Sequence, residues 1–105
     1  MKIAVDAMGG DYAPEEVVIG AINAVKEYKL DVVLVGDETK IRKVLQDQHV
    51  KESERLSIAH ASEVIEMGEH PAQAIRKKKD ASIVVATRLA RDGKCDAVVA
   101  PGSTG

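Results

Sequence analysis

Residues 3–14 read IAVDAMGGDYAP, and this stretch decides the fold that the rest of the chain completes. The apolar run from Ile3 to Val5 is typical of a buried strand, whereas a helical pattern begins only after Pro14. Two carboxylates and a pair of glycines lie between them. Because glycine adopts backbone conformations that other residues avoid, the pair allows a sharp turn. The stretch therefore predicts the first strand-turn-helix unit of an α/β domain.

The composition favours a sheet covered by helices. The chain has 105 residues, the size of one domain, and 45% of them are hydrophobic, yet it contains no Trp or Phe and only two Tyr. Its core must therefore be built from Val, Ile, Leu and Ala, the residues that fill buried parallel sheets.

Charge and cysteine content restrict the function and the location. Fifteen Lys and Arg stand against 17 Asp and Glu, and this net charge of -2 argues against nucleic acid as the main partner. Cys95 is the single cysteine and cannot form an internal disulfide, which fits a reducing compartment. No apolar run approaches the roughly 18 residues of a membrane span. We therefore expect a cytoplasmic protein.

Apolar runs alternate with helical periodicity along the chain. We predict four strands, at Lys2 to Val5, Asp31 to Val35, Leu56 to Ala59 and Ala97 to Ala100. Strands separated by helices imply parallel pairing with right-handed crossovers. The predicted fold is α/β, a Rossmann-like three-layer sandwich with a mainly parallel sheet.

The helices between these strands have identifiable starts. The first follows Pro14, and its predicted inner face comprises Val18, Ala21, Ile22, Val25 and Tyr28. Asp37 is predicted to cap a second, short helix that gives way to a polar loop at 46–54. Residues 61–70 are predicted to form a long loop excursion at the end of a strand, and Pro71 is predicted to start a helical turn. Asp80 is predicted to cap a last helix, with Gly93 just past its end and an inner face of Ile83, Val84, Ala86, Leu89 and Ala90.

Three strand-to-helix junctions carry groups that can hold a ligand. They are residues 6–11 (DAMGGD), 36–39 (GDET) and 101–105 (PGSTG), and all three should lie along the carboxyl edge of the sheet, where α/β proteins bind ligands. The glycines offer backbone N–H groups to an anion such as phosphate. Carboxylates repel phosphate, so we expect Asp6 and Asp11 to hold backbone N–H groups or a neighbouring side chain. The same glycines can also serve only to turn the chain.

Other chemically active residues have simpler explanations. Neither the Walker A pattern nor G-x-G-x-x-G is present, so the sequence gives no support to nucleotide binding by those routes. The basic run of Arg76, Lys77, Lys78 and Lys79 is either a solvated helix face or a docking patch for an acidic partner. The three histidines are too scattered to predict a metal site. Cys95 has the surroundings of a small buried residue and not of a nucleophile.

The first stretch resembles a known family. Its residues match the V-D-x-M-G-G-D element, closely followed by Pro, of the bacterial phosphate acyltransferases of phospholipid synthesis, the acyl-carrier-protein:phosphate transacylases. The matching positions are Asp6, Met8, Gly9, Gly10, Asp11 and Pro14. The likeness continues at 34–36, 63–66 and 71–79 and ends at 100–105, where the family usually reads S-A-G-N-T-G. Ser103 replaces the usual Asn, and Ser82 lies between Ala81 and Ile83 where a Ser-Ser-Met run is common.

The resemblance implies a reaction in which inorganic phosphate attacks the thioester of a long-chain acyl group on acyl carrier protein, with neither metal nor other cofactor. It implies that residues 1–105 are the N-terminal part of a longer α/β domain, inactive alone and a homodimer at full length; the glycine-rich end after a buried-type strand also suggests a continuing fold. Association with the membrane surface stays open. The substrate and phosphate site is then expected at Asp6, Gly9, Gly10, Asp11, Gly102, Ser103, Thr104 and Gly105. Carrier-protein docking is assigned to Arg76, Lys77, Lys78 and Lys79.

Two alternative functions remain open at this stage. One is a non-catalytic, Rossmann-like module that binds a nucleotide or another cofactor. The other is a short-chain phosphotransacylase that uses coenzyme A. The same fold would suit such an enzyme, which would prefer acetyl over long acyl thioesters.

Overall fold

The computed structural model describes residues 1–8, 12–62 and 81–100. Its described elements alternate strictly between strand and helix. In chain order they are β1 (Lys2–Asp6), α1 (Glu15–Glu27), β2 (Asp31–Gly36), α2 (Glu38–Asp47), β3 (Leu56–His60), α3 (Ser82–Arg91) and β4 (Ala97–Val99). None of these described helices combines the length and the apolar character that a membrane crossing requires.

The four strands form one parallel sheet in the order β3-β2-β1-β4. Within the register, Ala4 of β1 lies opposite Val33 of β2 on one side and Val98 of β4 on the other. The chain thus builds outward from β1 to β3 and then returns to add β4 at the other side of β1. This reversal confirms the predicted Rossmann-like α/β fold and places the topological switch point between β1 and β4.

Alternation along the strands divides the core into two layers. Val5 and Leu34 face α1 and α2, where they pack in a cluster with Val18, Ile22, Ile41 and Leu45. Ala4 and Val33 point to the opposite face and pack with Ala86 of α3. β2 is buried at five of its six positions, as expected for an apolar strand covered on both faces. The three layers of the predicted sandwich are therefore present.

The second helix starts where the sequence predicts and ends later. The side chain of Asp37 accepts hydrogen bonds from the backbone N–H groups of Thr39 (3.0 Å) and Lys40 (3.2 Å), so the predicted N-cap is confirmed. The helix continues through Asp47, however, and the predicted loop from residue 46 begins two residues too early. His49 closes the helix with a φ of 57°, a conformation that usually marks glycine and was therefore missed.

Two predicted inner faces need correction. Tyr28 was expected inside but is 62% exposed, because it is the C-cap of α1 in extended conformation. On α3, Ala86 and Leu89 do pack inward, whereas Ile83 and Val84 are only half-buried and line a groove on the outer flank. The helix is rotated because Ser82, a polar residue, is among its most buried positions.

The C-terminal end of α3 is predicted correctly, and its N-terminal cap is not. Gly93 follows the helix with a φ of 78°, and its N–H donates to the carbonyl of Ala90 at 3.1 Å, which confirms the predicted end. The N-cap is Ala81, whose side chain cannot cap, and the prediction of a cap by Asp80 is therefore wrong. Asp80 itself, most of the predicted excursion at 61–70 and the helical turn from Pro71 lie outside the described residues.

A buried polar contact ties α3 to the first strand. Asp6 is 3% exposed and Ser82 is 1% exposed, and they are the buried polar residues of the described chain. The Ser82 hydroxyl donates to Asp6 Oδ1 at 2.5 Å, although 76 positions separate them. Burying a neutral polar group without a hydrogen bond costs roughly 2 to 7 kcal/mol, and burying a charged one costs more. Asp6 and Ser82 therefore stabilise the fold only as a hydrogen-bonded pair.

We expect Ser82→Ala to lower the free energy of unfolding by about 2 kcal/mol, because Asp6 loses a hydrogen bond that no solvent can replace. Urea denaturation of the purified protein measures this change. Thr87→Ala is the matched control on the same helix, since the Thr87 hydroxyl donates to the carbonyl of Ile83 at an exposed position. The control should change stability by less than about 0.5 kcal/mol. Equal urea midpoints for the two variants would contradict the proposed role of Ser82.

Candidate functional site

The carboxyl ends of β1 and β4 meet at the switch point of the sheet. Val5 pairs with Val99, so the chain leaves both strands side by side, at Asp6 and at Ala100. The glycine-rich stretches of residues 9–11 and 101–105 therefore follow neighbouring strands at the same rim. This confirms that the strands before these stretches end together, as predicted. Gly9, Gly10, Asp11 and residues 101–105 themselves lie outside the described residues, and their contacts stay a prediction.

Asp6 organises the start of the first of these loops. Its Oδ1 atom accepts the N–H of Met8 at 3.0 Å in addition to the hydroxyl of Ser82. A side-chain bond to the backbone two residues ahead is a turn that Asp favours. The backbone is held further by the N–H of Ala7, which donates to the carbonyl of Val35 at 2.9 Å. Asp6 thus holds protein groups in place, as the sequence suggested.

A glycine at the end of β2 gives this loop its path. A Cβ atom at Gly36 would lie 2.5 Å from Met8 Cγ and 2.8 Å from Met8 Sδ, closer than any side chain tolerates. The Met8 side chain therefore packs across the end of β2 in the space that a Cβ atom at residue 36 would take, and a larger residue there would force Met8 to move. The sequence marks Gly36 only as part of a ligand-type junction and holds no signal of this close approach.

The junction at residues 36–39 is chemically occupied by the protein itself. Asp37 accepts the N–H groups of Thr39 and Lys40, and the N–H of Glu38 donates to Nδ1 of His60 at 3.2 Å. An anion at this helix start would have to displace these bonds, because the free N–H groups of a helix N-terminus are what attract it. The structure therefore gives no support to residues 36–39 as a phosphate cradle and leaves the β1–β4 junction as the candidate.

Metal ligands and nucleophiles are sparse in the described part of the chain. No group of three or more His, Cys, Asp and Glu side chains converges there as a metal site would require. Cys95 is buried at 5% exposure, and this burial raises the pKa of its thiol above the ordinary value, with Asp96 adding to the rise and Lys2 opposing it. It precedes β4 and so lies at the amino rim, opposite the candidate site. A protonated thiol in that position is unsuited to nucleophilic attack.

Sequence reasoning missed one residue of the site and could not test others. In the sequence Ser82 stands out only as a departure from the pattern of the similar family, yet it holds the carboxylate at the end of β1. A serine next to apolar residues gives no signal of such a long-range bond. The basic run at Arg76, Lys77, Lys78 and Lys79 lies outside the described residues, and its docking role stays a prediction.

Comparison with known proteins is consistent over the whole chain. The sequence profile of the family described as "Fatty acid synthesis protein" matches residues 1–105. Proteins named phosphate acyltransferase are similar throughout: that of Dictyoglomus turgidum is 58% identical, that of Desulfitobacterium hafniense 53% and that of Bacillus cereus 50%. Each alignment covers all of this chain and 31% of the relative, so the chain spans about a third of their length. The chain belongs to the fatty acid synthesis protein family.

Proposed function

We propose that the protein transfers a long-chain acyl group from acyl carrier protein to inorganic phosphate and so supplies acyl phosphate for phosphatidic acid synthesis. The observation that carries this proposal is the 58% identity, over all 105 residues, with a relative named phosphate acyltransferase. The switch point between β1 and β4 adds support, because ligands of such sheets bind outside the carboxyl ends of the strands at that point.

The proposed chemistry makes two demands on the site. A phosphate oxygen attacks the thioester carbonyl carbon, the tetrahedral intermediate carries an oxyanion, and the C–S bond then breaks to release the carrier thiolate, which takes up a proton. The attacking anion must be oriented, and the developing oxyanion needs hydrogen-bond donors already in place. Acyl transfer changes no oxidation state, so the step needs no redox cofactor.

Backbone N–H groups of the two glycine-rich loops are the proposed donors. Gly9 and Gly10 would serve from the loop after β1, and Gly102, Ser103, Thr104 and Gly105 from the loop after β4. The contribution of Asp6 is indirect: its bond to the N–H of Met8 holds the backbone that leads into Gly9. Asp11 is assigned the same kind of role on the far side of the glycines.

The partners follow from the same proposal. The acyl donor is acyl carrier protein, an acidic protein that the basic run at 76–79 would attract. The acceptor is inorganic phosphate, the full-length enzyme is a homodimer, and the compartment is the cytoplasm, in keeping with the single, buried Cys95. A peripheral contact with the membrane surface is proposed only because the acyl phosphate would be consumed there.

A donor panel tests the reaction itself. The full-length protein is incubated with phosphate and either palmitoyl-carrier protein or acetyl-coenzyme A, and acyl phosphate is trapped with hydroxylamine. We expect the hydroxamate from the palmitoyl donor. Product from acetyl-coenzyme A alone would indicate a short-chain phosphotransacylase, whereas binding of NAD or ATP without any product would indicate a nucleotide-binding module.

We expect Asp6→Ala to lower kcat/KM for phosphate at least about 100-fold, because a loop displaced by about 1 Å misplaces the reacting groups. Asp6→Asn retains an oxygen that can accept both hydrogen bonds and should lose less than about tenfold. Asp96→Ala is the control, since the Asp96 carboxylate accepts the N–H of Lys2 at the opposite rim. Its activity should stay within about twofold of the parent. Full activity of a folded Asp6→Ala protein would refute the role of Asp6.

We expect the double change Lys77→Glu and Lys78→Glu to raise KM for the carrier protein about tenfold at low salt, with kcat unchanged. The difference should shrink at high salt, because salt screens exposed charges. Lys26→Glu with Lys29→Glu places the same charge change on exposed positions at the end of α1 and serves as the control. Docking by the basic run is ruled out if both double variants raise KM equally or if neither does.

A further inference from the structure

An aliphatic groove runs along one face of the sheet beside α1. Its volume is about 450 Å³. The floor is formed by β1, β2 and β4, and α1 forms one wall. Among the described residues that line it, Glu16 is the one ionisable residue. The residues that define its course are Ile3, Val5, Val17, Gly20, Ala24 and Val99.

The groove begins at the candidate site. Val5 and Val99 lie opposite each other in neighbouring strands. They directly precede Asp6 and Ala100, where the polypeptide leaves β1 and β4. From there the lining residues Glu16, Gly20 and Ala24 follow one side of α1 turn by turn. Eight helical residues span about 12 Å, so the groove extends from the carboxyl rim most of the way to the opposite rim.

The groove is open because the side chains along α1 are small. A Cβ atom at Gly20 would meet no other atom within 4 Å, so the space beside this turn is free. Val99, on the edge strand β4 of the described sheet, is 44% exposed. Contiguous apolar surface of this kind is unfavourable in water and marks a place that a ligand or another protein segment covers.

We propose that this groove binds the hydrocarbon chain of the acyl donor, with the thioester at the carboxyl rim and the chain extending along α1. The assignment rests on the proposed function. A saturated chain offers no hydrogen bonds and takes only apolar contacts, which is what the aliphatic lining supplies. The carbonyl carbon must lie where phosphate is held, and the groove is lined by Val5 and Val99, the paired residues that precede the ends of β1 and β4.

A side chain added inside the groove should shorten the acyl chain that the enzyme accepts. The full-length Gly20→Leu protein is assayed with butyryl-, octanoyl- and palmitoyl-carrier protein and phosphate. We expect kcat/KM for the palmitoyl donor to fall at least about tenfold, since several methylenes lose their apolar contacts. The butyryl donor, whose chain ends before this turn, should change less than about twofold. Asn23→Leu, at an exposed position of the same helix, should leave all three donors unchanged.

A second variant makes the test independent of how well the first one folds. Ala24→Leu places the obstruction one turn further from the rim, so it should exclude palmitoyl but spare octanoyl, whereas Gly20→Leu should impair both. A chain-length limit that moves with the position of the leucine supports the assignment. Equal losses for all donors, or no change for any, would overturn it and indicate that another segment of the full-length protein or a second copy fills the groove.

The same assay separates this inference from the proposed function. If the unaltered protein forms acyl phosphate but the leucine variants keep its chain-length profile, the groove assignment alone fails. If the unaltered protein forms no acyl phosphate from any carrier-bound donor, the proposed function fails and the assignment falls with it.

Discussion

The buried carboxylate of Asp6 is the constraint on which the rest of the site depends. A carboxylate that is 3% exposed must be hydrogen-bonded within the protein, and it finds its partners in the hydroxyl of Ser82 and the N–H of Met8. One partner begins α3 and the other begins the loop after β1. A single side chain therefore fixes the position of a helix on one face of the sheet and the direction of the chain at its rim.

The order of the strands turns this local contact into a site. Because β4 is added beside β1 and not beside β3, the loop that Asp6 holds and the loop after β4 leave the sheet next to each other. The junction at residues 36–39 has no such role, since the N–H groups at the start of α2 already donate to Asp37 and His60. Under the proposed function, the phosphate-binding groups and the aliphatic groove for the acyl chain would meet at one point of the rim.

Much of the fold could be predicted because it depends on neighbours in the sequence. Asp37 caps the helix that directly follows it, and Gly93 takes the positive φ that ends α3. The same local reasoning failed where distant residues decide. Ser82 is buried because of a carboxylate 76 positions away, and its burial turns Ile83 and Val84 away from the core. Gly36 leaves room for the side chain of Met8, which reaches it only in the folded sheet.

The meeting of the two strand ends at the candidate site was predictable, and the contacts around Asp6 were not. Parallel strands bring their carboxyl ends to one rim, so the meeting of the β1 and β4 ends followed from the alternation of strands and helices. Which carboxylate oxygen binds which donor depends on side-chain packing that no pattern records. The expected role of Asp6 as a holder of N–H groups did follow from charge alone, because a carboxylate beside a phosphate needs another partner.

A crystal structure of the full-length protein soaked with inorganic phosphate tests the central claim most directly. The account requires the anion between the carboxyl ends of β1 and β4, held by backbone N–H groups of residues 9–10 and 102–105, with Asp6 still bonded to Ser82 and Met8. An anion bound far from this junction, or packed side chains filling the space between Asp6 and Ala100, would contradict it.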